Sequence, residues 1–94
     1  MMIYRLGELF CGPGGLAYGA LTAKSDDGNH RIVHAWANDF DEDTCVTYRN
    51  NICPDAPGSV YCCDVRDLDI TKLGDIDAFC YGFPDNSFSN VGEH

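Results

Sequence analysis

A chain of 94 residues with 45% hydrophobic and 22% charged residues has ordinary globular composition, and that much apolar material excludes disorder. Six Lys and Arg stand against 15 Asp and Glu, a formal charge of −9, which argues against a free-standing nucleic-acid binder because such a protein needs a cationic surface. No stretch approaches the roughly 18 consecutive apolar residues of a membrane span. Met1-Met2-Ile3-Tyr4-Arg5 also lacks the apolar run of a signal peptide, so a soluble, intracellular and cytoplasmic chain with no membrane partner is expected.

Ile3 to Phe10 holds Leu6, Leu9 and Phe10, runs into glycines and reads as a first strand. Gly14 to Ala23 carries Leu16, Ala17, Ala20 and Leu21 at helical spacing. The polar run from Lys24 to Asn29 is a loop, and Arg31 to Ala37 a second strand. Asp41 can cap the next helix, with Glu42 and Asp43 in its first turn, where the helix dipole favours acids. That helix should end near Asn50-Asn51, before Pro54. Ser59 to Cys63 forms a short third strand and Ile76 to Tyr81 a fourth. Strands joined by helices imply an α/β fold with a parallel sheet and right-handed crossovers. Two helices cannot cover both faces of such a sheet. Either a second half of the domain or a partner is expected, and the fourth strand is an edge through which copies could associate.

Cys11, Cys45, Cys53, Cys62, Cys63 and Cys80 make an even count, which permits disulfides. Several sit inside apolar, strand-like runs and nothing marks secretion, so buried reduced thiols are the plainer reading. There is no C-x-x-C pair, and no metal site is expected.

Phe10-Cys11-Gly12-Pro13-Gly14-Gly15-Leu16 follows a strand and opens a helix. Glycine lets the backbone turn sharply and lets a ligand approach the main chain, while the amides that start a helix face that ligand. Gly12, Gly14 and Ala17 satisfy G-x-G-x-x-A, a nucleotide-binding pattern that on its own also fits a plain strand-to-helix turn. Asp39 follows the second strand at about the 20-residue distance where an acid can accept bonds from ribose hydroxyls. Phe40 beside it can lie against a purine ring. Asp64-Val65, after the third strand, can meet an adenine edge, carboxylate to exocyclic amine and amide to ring nitrogen. Each has a bland alternative: a pre-helix turn for Asp39, core for Phe40, a solvated turn acid for Asp64. Together, three strand ends around one glycine loop outline an adenosine pocket.

Residues 77–89 carry a further pattern, Asp-Ala-Phe-Cys-Tyr-Gly-Phe-Pro-Asp-Asn-Ser-Phe-Ser. With residues 9–16 this resembles the DNA cytosine-5 methyltransferase family. The family's F-x-G-x-G-G is matched by Phe10, Gly12, Gly14 and Gly15, and its G-F-P-C-Q/N-x-F/Y-S by Gly82, Phe83, Pro84, Asn86, Phe88 and Ser89. Asn38 to Asp41 matches N-[DE]-[FW]-D, and Asp64-Val65 matches D-[IV], in the family's order along essentially the whole chain. The resemblance implies a partial Rossmann-like methyltransferase fold and S-adenosylmethionine as cofactor. Phe10, Gly12, Pro13, Gly14, Gly15, Leu16, Asp39, Phe40, Asp64 and Val65 would line its site. It also implies double-stranded DNA as partner of the full-length enzyme, of restriction–modification type, and Pro84 in the loop that approaches a flipped cytosine.

The sequence departs from the family at the nucleophile, where Asp85 stands in place of cysteine. Cys80, five residues earlier and inside the expected strand, cannot substitute, so the chain as written is expected not to methylate DNA. Asp85-Asn86-Ser87 also reads as an ordinary turn. A second departure is length. The family's E-N-V segment, its Q-x-R-x-R segment, its target-recognition domain and its closing C-terminal elements have no counterpart in these residues. The expectation is an N-terminal part of the catalytic domain, residues 1–94, that binds DNA weakly or not at all unless a C-terminal part complements it. A vestigial module that binds S-adenosylmethionine or a partner without turnover is the alternative. A nicotinamide-dependent oxidoreductase fits Gly12, Gly14, Ala17 and Asp39 but leaves residues 82–89 unexplained.

Overall fold

The computed structural model describes residues 1–82. Its elements are β1 (Met2–Leu9), α1 (Gly15–Thr22), β2 (His30–Asp39), α2 (Glu42–Ile52), β3 (Val60–Cys62) and β4 (Ala78–Tyr81). Short 3-10 turns at Pro57–Ser59, Val65–Asp67 and Ile70–Lys72 were not anticipated from the sequence. The four strands form one parallel sheet in the order β3-β2-β1-β4. This is the expected α/β architecture. The order reverses at β1, because β2 and β3 are added on one side and β4 on the other. Such a reversal opens a crevice at the carboxyl ends of the strands, where the glycine loop begins.

Both helices follow crossovers in the same direction and pack on one face of the sheet. Ala17 from α1 and Cys45 and Tyr48 from α2 are buried there with Ala37 and Val60. Asp41 caps α2 as its position suggests, its carboxylate accepting from the Thr44 N–H at 2.8 Å. On the opposite face Trp36 is covered by the irregular segment before β4 and donates from its indole N–H to the Gly74 carbonyl at 3.3 Å. Gly7 makes room for that ring, since a Cβ there would lie 2.7 Å from it. Phe79 and Tyr81 extend the aromatic row from Trp36 but stay 49% and 57% exposed. Among the described residues the helices thus cover one face only.

Boundaries shift where side chains take over from the ladder. β2 runs two residues beyond the expected Ala37 because Asn38 and Asp39 pair with Tyr61 and Cys62. β4 starts at Ala78 and not Ile76, and just before it Asp77 grips β1: its carboxylate accepts the Arg5 N–H at 2.9 Å and its N–H donates to the Arg5 carbonyl at 2.8 Å. All six cysteines are free thiols; Cys11, Cys45 and Cys53 are buried, but Cys62 is exposed and Cys63 and Cys80 are half-buried. Among the described residues no helix is long and apolar enough to cross a membrane.

Candidate functional site

The glycine turn leaves β1 with three residues in the left-handed region: Phe10 at φ 53°, Gly12 at 61° and Gly14 at 108°. Such a conformation is costly for Phe10 and must be held from outside. The hold comes from the end of β2. The Cys11 N–H donates to the Asn38 carbonyl at 2.9 Å, and the Gly12 N–H donates to the Asp39 carboxylate at 3.0 Å. Nothing lies within 4 Å of where a Gly12 Cβ would sit, so the main chain there is open to a ligand. Gly14 is different, because a Cβ would meet the Ile52 side chain at 2.8 Å and Tyr48 at 3.3 Å. Gly14→Ala combines that clash with a disfavoured φ, and urea unfolding should show a loss of about 2 kcal/mol. A midpoint equal to the parent's would show that the turn tolerates a side chain.

Asp39 thus has two structural roles: the pre-helix turn weighed from the sequence, and a hold on Gly12 that the sequence did not reveal. One carboxylate oxygen accepts from Gly12, the other from the Asp41 N–H at 3.0 Å. Each carboxylate oxygen has two acceptor sites, so capacity remains on both for a further donor.

Phe10, Phe40, Asp64 and Val65 come together around a cleft of about 150 Å³, with Asn38 and Cys63 completing its lining. Small-molecule pockets begin near 300 Å³, so this cleft suits one flat part of a ligand and not the whole of it. Phe40 is 71% exposed, which sets aside the reading of that ring as core. Asp64 accepts from the Arg66 side chain at 2.6 and 3.0 Å and from its N–H at 2.9 Å. Those bonds hold its carboxyl down at about 2, so it is ionised wherever the protein is folded near neutrality. The Val65 N–H opens the 3-10 turn, at the end where first amides have no partner within the helix.

The other expected residues lie elsewhere around the turn. Pro13, Gly14 and Gly15 line a separate cleft of about 420 Å³ with Tyr18 and Asn51. Leu16 is exposed on α1 and lines neither cleft, nor does Asp39. Pro84 and Asp85, with the rest of their motif after Gly82, lie outside the described residues. Asn38 and Cys63 are cleft residues that the sequence marked only as motif or strand members. A polar side chain inside an apolar strand end, as at Asn38, was the one signal available.

The family model for C-5 cytosine-specific DNA methylases matches residues 4–94. The chain belongs to that family. It is 58% identical over 101 residues to the type II methyltransferase M.BbvI of Brevibacillus brevis, a match that covers 99% of this chain and 27% of that relative's length. No solved structure matches. The matched span takes in the glycine turn, both strand-end acids and residues 82–89.

Proposed function

We propose that residues 1–94 form part of the S-adenosylmethionine-binding catalytic domain of a cytoplasmic DNA (cytosine-5-)-methyltransferase of restriction–modification type. The observation that carries this reading is the cleft between Phe10, Phe40 and Asp64-Val65, beside a glycine turn whose Gly12 main chain is open. These residues fit an adenosine ligand. Two aromatic rings offer faces to a purine, the ionised Asp64 offers an acceptor to an exocyclic amine, and the Val65 N–H offers a donor to a ring nitrogen. Asp39 holds the turn through Gly12 and keeps acceptor capacity for a ribose hydroxyl. When bound, S-adenosylmethionine supplies an electrophilic methyl group. Asp64 must share itself between Arg66 and the ligand; Arg66 is exposed, so moving its side chain costs little.

Double-stranded DNA is the methyl acceptor in this reading. At −9 the chain repels DNA, so its contribution is to present cofactor, and grip on the duplex comes from residues beyond those here. Asp85 favours a second reading, in which the same site binds S-adenosylmethionine without turnover. Titration calorimetry tests what the two share: heat of binding with S-adenosylmethionine and none with NAD is expected. Preference for NAD, or no binding of either, would overturn the proposal.

A further inference from the structure

Asn38 touches both walls of the cleft. It is 1% exposed, and its backbone carbonyl accepts the Cys11 N–H next to Phe10. Its side-chain NH₂ donates to the Tyr61 carbonyl at 2.8 Å and the Cys63 carbonyl at 3.0 Å. The second of these bonds replaces a missing rung. Asp39 pairs with Cys62, and the Cys63 N–H still donates to the Asp39 carbonyl at 3.1 Å. In a regular parallel ladder the next donor, to the Cys63 carbonyl, would be the Asp41 N–H. That N–H has turned to the Asp39 carboxylate to begin α2. Without the Asn38 side chain the Cys63 carbonyl would lose its donor, and the ladder would end at the Cys63 N–H, one peptide short of Asp64-Val65.

We infer that Asn38 is a positioning residue for ligand specificity: its side-chain amide sets the Asp64-Val65 wall against Phe10 and so makes the cleft select adenine over other purines. Only an amide suits the place. Both facing groups are carbonyls, so two donors are needed from one small side chain, and a carboxylate of the same shape would repel them. The inference rests on the adenosine reading of the cleft, and it has a part that can be measured without ligand.

Hydrogen exchange by NMR supplies that part. In the unaltered chain the two Asn38 side-chain protons should exchange slowly; rapid exchange would overturn the inference whether or not any variant folds. In Asn38→Ala and Asn38→Ser the amides of Cys63, Asp64 and Val65 should exchange at least tenfold faster while those of α1 stay as they were. Unchanged exchange at these three amides in a folded variant would also overturn it. S-adenosylhomocysteine and its inosine counterpart then probe specificity. The parent's preference for the adenine form should fall by about tenfold in the variants, the worth of about one hydrogen bond. Equal loss of both ligands, with the preference kept, would mean that Asn38 merely stabilises the fold. If the unaltered chain binds neither ligand, the cofactor reading and with it the specificity claim fail, while the exchange result still decides whether Asn38 positions the wall.

Discussion

Tyr48→Ala should leave the chain without enough stability to fold. Tyr48 is fully buried at the centre of α2, beneath the Gly14 turn. Truncating a buried aromatic costs about 3–5 kcal/mol. Stranding a buried acceptor adds about 1–3 kcal/mol, and here the acceptor is Glu8, 2% exposed on β1 and bonded to the Tyr48 hydroxyl at 2.8 Å. A small domain starts with about 5 kcal/mol or little more. Far-ultraviolet circular dichroism should therefore show an unfolded Tyr48→Ala, while Tyr48→Phe, which keeps the ring and loses the hydroxyl, should remain folded with a lower urea midpoint. A Tyr48→Phe midpoint equal to the parent's would show that the hydroxyl's partners do not matter.

Those partners form a chain that runs from the buried Glu8 and Tyr48 through the half-buried His34 and Ser59 to the exposed Ala56. Glu8, Tyr48, His34, Ser59 and the Ala56 carbonyl are joined in sequence by four contacts at 2.8, 3.2, 2.7 and 2.7 Å. Four links need four protons. With Glu8 ionised and His34 neutral the side chains hold three, and one link is empty. With Glu8 protonated, and donating to the Tyr48 hydroxyl where the ionised form accepts from it, every link is filled and every group is neutral. Burial raises Glu8 above its ordinary 4.5, which favours that form, although the Tyr48 bond opposes the shift. For a raised acid the stability is fully present below about pH 4.5 and is lost as pH rises through the folded value. His34 has the opposite sign. Burial, assisted by Arg5, lowers it from 6.5, so its contribution is present above pH 6.5 and lost as pH falls through its folded value. Glu8→Gln removes the first effect and leaves the second. Its urea midpoint should rise toward pH 6.5, then level off, and exceed the parent's on the alkaline side. A variant that still loses stability as pH rises above 4.5 would refute the assignment to Glu8.

How far the sequence disclosed this molecule depended on whether the cause was local. The strands and helices were legible because their periods and the Asp41 cap are local signals. The glycine turn was legible because only glycine tolerates φ 61° and 108° cheaply. Phe40 and Asp64-Val65 were legible as cleft residues through the rule that ligands sit at strand ends. What escaped was long-range. Asp39 read as a ligand acceptor, but its bond to Gly12 spans 27 residues and depends on β1 and β2 lying side by side. The Glu8–Tyr48 bond spans 40 residues, and no periodicity marks Glu8 as buried. Arg66 as the partner of Asp64 is only two residues away, yet it depends on the 3-10 turn Val65–Asp67, for which a three-residue stretch carries no periodic signal.

Asp85→Cys should have the largest effect on activity. Carbon 5 of cytosine is a poor nucleophile until another nucleophile adds to carbon 6 and makes the ring enamine-like. A thiolate does this and later leaves, once the base has lost its carbon-5 proton; the base must first be flipped from the duplex to be reached. A carboxylate is hard and a weak nucleophile toward that carbon, so Asp85 is expected to supply no useful adduct. Nor can a neighbouring thiol stand in. Burial pushes Cys11 far above its ordinary range and Cys45 up to about 12, so neither is a thiolate at neutral pH, and Cys80 lies within β4. The test joins these 94 residues to the rest of the M.BbvI length and follows labelled methyl from S-adenosylmethionine into duplex DNA. The Asp85 form should be silent, and Asp85→Cys should raise the rate by on the order of 10⁴-fold or more, as expected when a nucleophile is restored to an otherwise complete site. Cofactor affinity should be the same in both, since the proposed adenosine contacts come from Phe10, Phe40, Asp64 and Val65. Rates within tenfold of each other would mean that Asp85 is competent. A silent Asp85→Cys form that still binds S-adenosylmethionine would instead favour the non-catalytic reading, with the loss of function lying deeper than one residue.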